Sequence, residues 1–412
     1  MNRVFLVFFV LIITFLVATF FIPFFITNLN HRSTYLPNDS PQIDHETEIQ
    51  MQNQRAQEVE VALKETRIDI KENLKDYTFY SSIPGSNIKS REEILAFREK
   101  MKCITTKGKW VFDKTPREIL KHKQEPLYGK CDKSSNKRNS SIEEIWENTR
   151  NSVKYIWKPS HQCPLPNFTR EDFCSLIIGL KFLLVGDVLS FQLHELLLDY
   201  FHDGPVQCYG HISCKEHVLC RPSPHLEDAY NLTSKMKYVR NDILSSKKFI
   251  LLPGDHDYVE LRNVELPWIS FSYRYNVIIL NKGHHYQDDK TFRLTLINAI
   301  INIRKKRPDT LIIFKSATLG HQNCNDPDLK PLETNYNINE LKNVPYHWDE
   351  IHKQNMIAKE IVEAAGGVYW NLEYIMETRV DGHIGGRDCL RWCIPGPSDI
   401  WLNLLKKSFV FL

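Results

Sequence analysis

The sequence has almost no excess of charge of either sign, and it contains no internal repeat and no low-complexity tract. Its 53 basic and 50 acidic residues give a formal net charge of +3. Binding of nucleic acid through its phosphates needs clustered positive charge, so this balance argues against a nucleic-acid partner. A chain of 412 residues without repeats is expected to hold one large domain with appendages.

The sequence also lacks the C-x2-C spacing that is typical of zinc-binding cysteines. One loop nevertheless contains three cysteines and three histidines, so a zinc site has to be considered: Cys208, Cys214, Cys220, His211, His217 and His225. The spacings fit no common metal motif, and ten cysteines in one chain favour disulfides. We therefore predict disulfides and no metal site, with the pairing left open.

Residues 4–26 contain no charged side chain. As a helix this stretch would be roughly 35 Å long, which is enough to cross a bilayer. The alternative is a cleaved signal peptide, whose apolar region is usually only about 7–15 residues and ends at a small-x-small site. No such site is found. We predict a transmembrane anchor at residues 4–26, with residues 1–3 as a cytosolic tip.

Four Asn-x-Ser/Thr sequons follow this apolar segment, at Asn38, Asn139, Asn167 and Asn231. Sequons and paired cysteines are both compatible with an oxidising, glycosylating compartment. Together they predict a single-pass type II protein of the Golgi or endoplasmic reticulum membrane, with its domain in the lumen.

Residues 27–102 form a predicted luminal stem that is polar and contains no cysteine. Within it Val59, Leu63, Ile70 and Leu74 fall on one helical stripe. Such a stripe could form a short coiled coil and a homodimer, but about two heptads favour a solvated helix or spacer. Near the end of the stem, Ser90 and Glu93 match a capping box, which predicts a helix start.

The central feature of the chain is the stretch at residues 181–198. Residues 182–185 are a continuous apolar run, as expected for a strand buried on both faces. Gly186 and Asp187 break the run, and leucines at helical spacing follow. A buried strand, a tight turn and a helix place a side chain at the carboxyl edge of a parallel sheet.

Strand and helix signals alternate over the rest of the chain. Strands are predicted at residues 249–252, 277–280, 310–314 and 368–371, and helices at residues 292–304 and 348–364. Such alternation predicts an α/β fold, a three-layer α/β/α parallel sheet. The predicted domain is residues 103–412, and it begins with a small disulfide-tied N-terminal lobe around residues 109–113.

Seven short blocks occur in a recognisable order along this domain. They are Cys103 with residues 108–111, residues 157–159 with Cys163, Gly186 with Asp187, residues 238–242, residues 281–284, Phe314 and Lys315 with His321, and residues 388–401. In this order they resemble the trichome-birefringence-like, or PC-esterase, family of GDSL/SGNH-like proteins. The order is most similar to that of fungal members.

This resemblance implies a domain that transfers or removes acetyl groups on carbohydrate hydroxyls, with a glycan as ligand and no cofactor. Its chemistry needs a hydroxyl nucleophile, an imidazole base and a carboxylate that orients the imidazole. By position these would be residue 188, residue 391 and Asp388. The implied pocket and oxyanion residues are Gly186, Asp187, Arg240, Asn241, Asn281 and Gly283.

The chain departs from this pattern at two positions, Val188 and Arg391. Valine has no nucleophilic atom, and arginine stays protonated at neutral pH. We expect Arg391 to pair with Asp388 three residues away. The favoured hypothesis is a non-catalytic glycan- or partner-binding member of the family.

The alternative hypothesis is an acetyltransferase or esterase with displaced catalytic groups. Ser190, His194 and His383 are the candidate replacements, although each fits a surface or packing role better.

Overall fold

The structure is a computed structural model of the chain. It describes residues 45–117, 119, 131, 141–165, 169–202, 204–221, 232–247, 263–326, 328–334, 345–386 and 388–412. The chain divides into two units, residues 1–51 and residues 52–412. In the first unit the described residues are the beginning of one helix, and the second unit holds the remaining elements described below.

None of the helices in these ranges is both long and apolar enough to cross a membrane. The predicted anchor, the four sequons and the strand predicted at residues 249–252 all lie outside the described residues. The type II topology therefore stays a prediction.

Ten α-helices are described within these ranges. They are α1 His45–Asp69, α2 Arg91–Thr106, α3 Ile142–Asn148, α4 Asn151–Lys154, α5 Arg170–Leu176, α6 Val188–Phe201, α7 Asp289–Lys306, α8 Trp348–Ala364, α9 Glu373–Glu377 and α10 Ile400–Phe411.

Twelve strands are described in the same ranges. They are β1 Gly108–Phe112, β2 Tyr155–Pro159, β3 Lys181–Gly186, β4 Cys208–Tyr209, β5 Ser213–Cys214, β6 His217–Leu219, β7 Ser234–Arg240, β8 Val277–Asn281, β9 Leu311–Lys315, β10 Val368–Trp370, β11 His383–Gly385 and β12 Asp388–Trp392.

The central sheet is mostly parallel, as predicted. Its strand order is β10-β9-β8-β3-β7-β5-β4, and β6 also pairs with β7. The pairs from β10 to β7 are parallel, whereas β4, β5 and β6 add antiparallel partners at one side. The predicted strand–turn–helix therefore lies in the middle of the sheet, with β8 and β7 on either side of β3.

Helices cover both faces of this sheet, which confirms the predicted three layers. Alternate residues of β3 point to opposite faces, Phe182 and Leu184 to one and Leu183 and Val185 to the other. Helices α6 and α10 pack on the first face, and α7 packs on the second.

Strand β7 was not predicted, although it is the direct neighbour of β3. Its sequence alternates lysines with apolar residues, which is typical of a strand that is only half buried. The short antiparallel strands β5 and β6 pair with its other side.

Part of the predicted stem packs into the core of the domain. Leu63, Ile70 and Leu74 are buried, and Ile70 and Leu74 join the same apolar cluster as α7 and α8. Arg293 of α7 forms ion pairs with Glu65 (2.9 Å) and Asp69 (2.6 Å). The stripe proposed for a coiled coil is therefore largely used within the chain itself.

All ten cysteines form disulfides, as predicted over zinc ligation. The pairs are Cys103–Cys163, Cys131–Cys393, Cys174–Cys220, Cys208–Cys214 and Cys324–Cys389. The first of them links the end of α2 to the segment after β2, and β1 and β2 pair as a small antiparallel sheet.

The helix start predicted at Ser90 is also confirmed. The Ser90 hydroxyl accepts a hydrogen bond from the Glu93 backbone N–H, and the Glu93 carboxylate accepts one from the Ser90 N–H.

Candidate functional site

The turn after β3 is held in a narrow space between α6 and β8. A Cβ atom on Gly186 would lie 2.4 Å from the Ser190 Oγ and 2.8 Å from the Asn281 backbone oxygen. Only glycine fits there, because any side chain would clash with these two atoms. Gly186 therefore allows the chain to turn directly after β3. Asp187 then caps α6, because its Oδ1 accepts a 2.8 Å hydrogen bond from the Leu189 N–H.

The second carboxylate oxygen of Asp187 contacts a histidine that follows β8. His284 Nδ1 lies 2.7 Å from Asp187 Oδ2, and His284 Nε2 lies 2.8 Å from the backbone oxygen of Thr318. Both ring nitrogens thus face acceptors, an arrangement that only an imidazolium satisfies with a donor at each end. The pair is best described as a buried ion pair between His284 and Asp187.

A buried lysine adds a second positive charge near the turn. Lys315 at the end of β9 is fully buried, and its Nζ has no hydrogen-bond partner and lies 4.8 Å from the centre of the Trp401 ring. Burial lowers the pKa of Lys315 to about 8, against the attraction of Asp187. Burial would raise the pKa of Asp187, but His284, Lys315 and His285 outweigh it and hold this pKa below its ordinary value.

The predicted ion pair between Asp388 and Arg391 is confirmed. Arg391 Nε lies 2.5 Å from Asp388 Oδ2, and both side chains are nearly inaccessible to solvent. Asp388 Oδ1 accepts from the Arg391 backbone N–H at 2.9 Å, so the carboxylate is held by the residue at the base position. The Arg391 Nη1 also lies 3.3 Å from His211 Nδ1.

No nucleophile is available at the first position of α6. Val188 is buried and offers only methyl groups. Ser190, one of the residues considered as a replacement, has a buried Oγ without a hydrogen-bond partner. No imidazole therefore accepts its proton, and the pair needed for a serine nucleophile is not formed there.

The two histidines considered as replacement bases are committed elsewhere. His383 contacts His321 (2.6 Å) and the Arg391 backbone oxygen (3.2 Å), and burial holds its pKa well below the ordinary value. His194 is fully buried, and its Nδ1 lies 3.7 Å from the Cys214 sulfur. That sulfur is disulfide-bonded to Cys208, so it cannot act as a thiolate metal ligand beside His194.

The oxyanion candidates differ in how many of their side-chain polar atoms already form hydrogen bonds. The Asn241 amide donates to the backbone oxygens of Ser245 (3.2 Å) and Leu266 (3.0 Å) and accepts from the Ser245 N–H, so it holds the loop after β7. Asn281 donates to the Lys315 backbone oxygen at 3.0 Å, and its Oδ1 has no partner.

Two further candidates have fixed surroundings. Arg240 pairs with Asp242 at 2.9 Å and keeps one buried Nη2 without a partner. A Cβ on Gly283 would lie 2.5 Å from the Ala317 Cβ, so this glycine allows close packing of two loops.

The chain was compared with families and with curated proteins. No family model matches it. It is 25% identical over 202 residues to trichome birefringence-like protein 12 of Arabidopsis thaliana, covering 35% of this chain and 47% of that protein. It is 27% identical over 128 residues to trichome birefringence-like protein 40 of the same plant, covering 30% of this chain and 32% of that protein.

Over these segments the chain is similar to trichome birefringence-like proteins. The matched segments span less than half of either relative, so the relationship covers part of each protein. Both relatives are plant proteins, and the predicted similarity to fungal members stays a prediction.

Parts of three of the seven sequence blocks lie together in space. The structure brings Gly186, Asp187, Asn281 and Lys315 to one edge of the sheet. His284 and Lys315 belong to two of the seven sequence blocks, but the sequence did not predict that they lie in the site. The available signal was their position at the carboxyl ends of β8 and β9, next to β3.

Proposed function

We propose that this protein is a membrane-anchored, luminal relative of the trichome birefringence-like proteins that binds carbohydrate without transferring acetyl groups. The family resemblance supplies the acetyl and carbohydrate chemistry, and the observation that carries the loss of catalysis is the pair formed by Asp388 and Arg391. A carboxylate held by a guanidinium cannot orient a neutral imidazole, and the residue at the nucleophile position is Val188.

The buried network around the turn supports the same proposal. Asp187 and His284 pair with each other beside the turn, and neither of them is the nucleophile or the base position of the family pattern. Each ring nitrogen of His284 already contacts an acceptor, so neither nitrogen is free to take a proton from a nucleophile.

The alternative is an active acetyltransferase or esterase with displaced groups. Ser190 favours it most, because its unpartnered Oγ lies against Gly186 at the turn. This hypothesis needs a base to approach Ser190.

We further propose that the domain lies in the lumen of the Golgi or endoplasmic reticulum. The five disulfides support an oxidising compartment. Endoglycosidase treatment should increase the gel mobility of the expressed protein, whereas an unchanged mobility together with free thiols would contradict the luminal location.

The loss of catalysis can be tested by restoring both side chains. The variant V188S/R391H introduces a hydroxyl at residue 188 and an imidazole at residue 391, which is in contact with Asp388 in the wild-type protein. Because triad residues act as a unit, each single variant should recover little, and the double variant should hydrolyse an activated acetyl ester faster than wild type. Its introduced serine should also react with a fluorophosphonate probe.

The wild-type protein is the decisive comparison. Our proposal predicts no fluorophosphonate label on it, and a label on Ser190 would establish the displaced enzyme instead. A folded double variant that stays unlabelled would show that the pocket has changed beyond residues 188 and 391.

A further inference from the structure

A cavity of about 450 Å³ lies between the small β1–β2 sheet and the C-terminal segment at residues 395–403. Its volume is within the roughly 300–1,000 Å³ that is typical of small-molecule sites. Four aromatic side chains line it: Trp110, Tyr155, Trp157 and Tyr200. None of these residues belongs to the site at residue 188.

The cavity is well separated from the strand–turn–helix. Val188 is the first residue of α6, and Tyr200 lies twelve positions later on the same helix. At 1.5 Å per residue their backbones are about 18 Å apart. A ligand in the cavity would therefore bind a second site.

One polar group of the cavity is a buried carboxyl. Asp399 lines the cavity, and its Oδ1 is buried without a hydrogen-bond partner. Its Oδ2 accepts a 3.3 Å hydrogen bond from the Gly396 N–H. A buried polar atom without a partner costs free energy, so Oδ1 is suited to a ligand that supplies a donor.

Hydrogen bonds of the indole N–H groups fix the two tryptophan rings of the cavity. The Trp110 indole N–H donates to the Ile375 backbone oxygen (2.9 Å), and the Trp157 indole N–H donates to the Ile104 backbone oxygen (3.0 Å). The Arg379 guanidinium lies 4.2 Å from the centre of the Trp110 ring and holds it from one side. Both indole N–H groups are thus used within the protein, and the two tryptophan rings offer apolar surface to the cavity.

The charges around the cavity select against a charged ligand. Arg117 lines the wall, and Arg150 donates to the backbone oxygen of Pro395, another lining residue, at 2.7 Å. Arg117 pairs with Asp113 (3.5 Å) and Arg379 pairs with Asp381 (2.7 Å), so these charges are balanced within the protein and favour a neutral ligand over a charged one. Burial raises the pKa of Asp399 to about 7 although Arg117 and Arg150 oppose it, so its carboxyl can accept or donate near neutral pH.

We propose that this cavity binds a neutral sugar ring. The C–H face of a pyranose is apolar and can pack on aromatic rings, and its hydroxyl groups can donate to Asp399 Oδ1. The Arg117 side chain can donate to a ring or hydroxyl oxygen. This second site does not depend on acyl chemistry at residue 188.

The test is saturation-transfer NMR on the full chain in a sugar-free detergent. The neutral probes are the methyl β-glycosides of glucose, galactose, mannose and xylose, and the charged probes are methyl β-glucuronide and choline. We expect a signal from at least one neutral glycoside. Silence from all four at millimolar concentration would overturn the proposal, and so would binding of only choline or only the glucuronide.

Two variants of cavity residues, with one surface variant as a control, show where the glycosides bind. Asn403 lines the cavity, so N403W should fill it and abolish the signal, whereas V410W adds the same ring to an exposed position of α10 and should change nothing. Asp399→Ala removes the hydrogen-bond acceptor and should weaken binding about tenfold or more.

Thermal melting establishes whether each variant is folded. If N403W does not fold, Asp399→Ala decides. A folded N403W or Asp399→Ala protein that binds the glycosides as wild type does would place the binding elsewhere and overturn the assignment.

Discussion

At the residue scale, the turn depends on one histidine whose two ring nitrogens both face acceptors. His284 joins Asp187 to the Thr318 backbone oxygen, and all three groups are buried. A buried ion pair adds little net stability when both partners are present, but removal of one partner leaves an unpaired charge. The structure thus predicts a strong asymmetry between removing one partner and removing both.

We expect His284→Ala to lower the free energy of unfolding by about 3–5 kcal/mol, because Asp187 would stay buried without its cation. Urea unfolding measures this change. The matched control is His352→Ala, since His352 also contacts a carboxylate, Glu373 at 3.1 Å, but its side chain is 53% exposed. That control should cost less than about 1 kcal/mol. Equal losses in the two variants would contradict the assigned ion pair.

At the scale of elements, the segment predicted as a stem contributes to the core of the domain. Ala62, Ile70 and Leu74 share an apolar cluster with α7 and α8, and α2 buries Ile94 and Phe97 on the other face. Helical periodicity in the sequence located the stripe, but the stripe alone did not show which surface covers it.

We expect Leu74→Ala to lower the free energy of unfolding by about 2–5 kcal/mol, because Leu74 is fully buried. Val61→Ala is the control within the same segment, since Val61 is 58% exposed and should change stability by less than about 0.5 kcal/mol. Chemical denaturation of both variants gives the comparison. A Leu74→Ala variant with an unchanged free energy of unfolding would mean that this segment is not part of the folded core in solution.

At the scale of the whole molecule, Asp399 should make the stability of the protein depend on pH. Its pKa rises on folding from an ordinary value of 3.8 to about 7, mainly because the group is buried. Between these two values the folded state binds more protons than the unfolded state, so this group destabilises the fold as the pH rises. The effect is lost as the pH falls through 3.8 to about 3, where the carboxyl is mostly protonated in both states.

We therefore expect Asp399→Asn to stabilise the protein at neutral pH, by up to about 4 kcal/mol at pH 8. The gain over wild type should shrink as the pH falls and disappear at about pH 3. Urea unfolding of both proteins at several pH values measures it. A difference that does not change with pH would show that the Asp399 carboxyl is not desolvated in the folded protein.

The sequence by itself determined the features that depend on neighbouring residues. It predicted the strand and turn at residues 182–187, the helix Trp348–Ala364, the capping box at Ser90 and the pairing of Arg391 with Asp388. Hydrophobic periodicity and short-range hydrogen bonds fix these features within a few residues of chain. The alternation of such elements was enough to predict a three-layer α/β fold.

Only the tertiary structure decided which distant groups meet. His284 and Asp187 are 97 positions apart, and the Cys131–Cys393 disulfide closes a separation of 262. Strand β7 contains lysines that interrupt its apolar residues, so a continuous apolar run did not predict a strand beside β3. The cavity likewise joins β1 and β2 to residues 395–403. Local patterns do not encode these contacts, because they form only when long loops close and bury both partners against the same sheet.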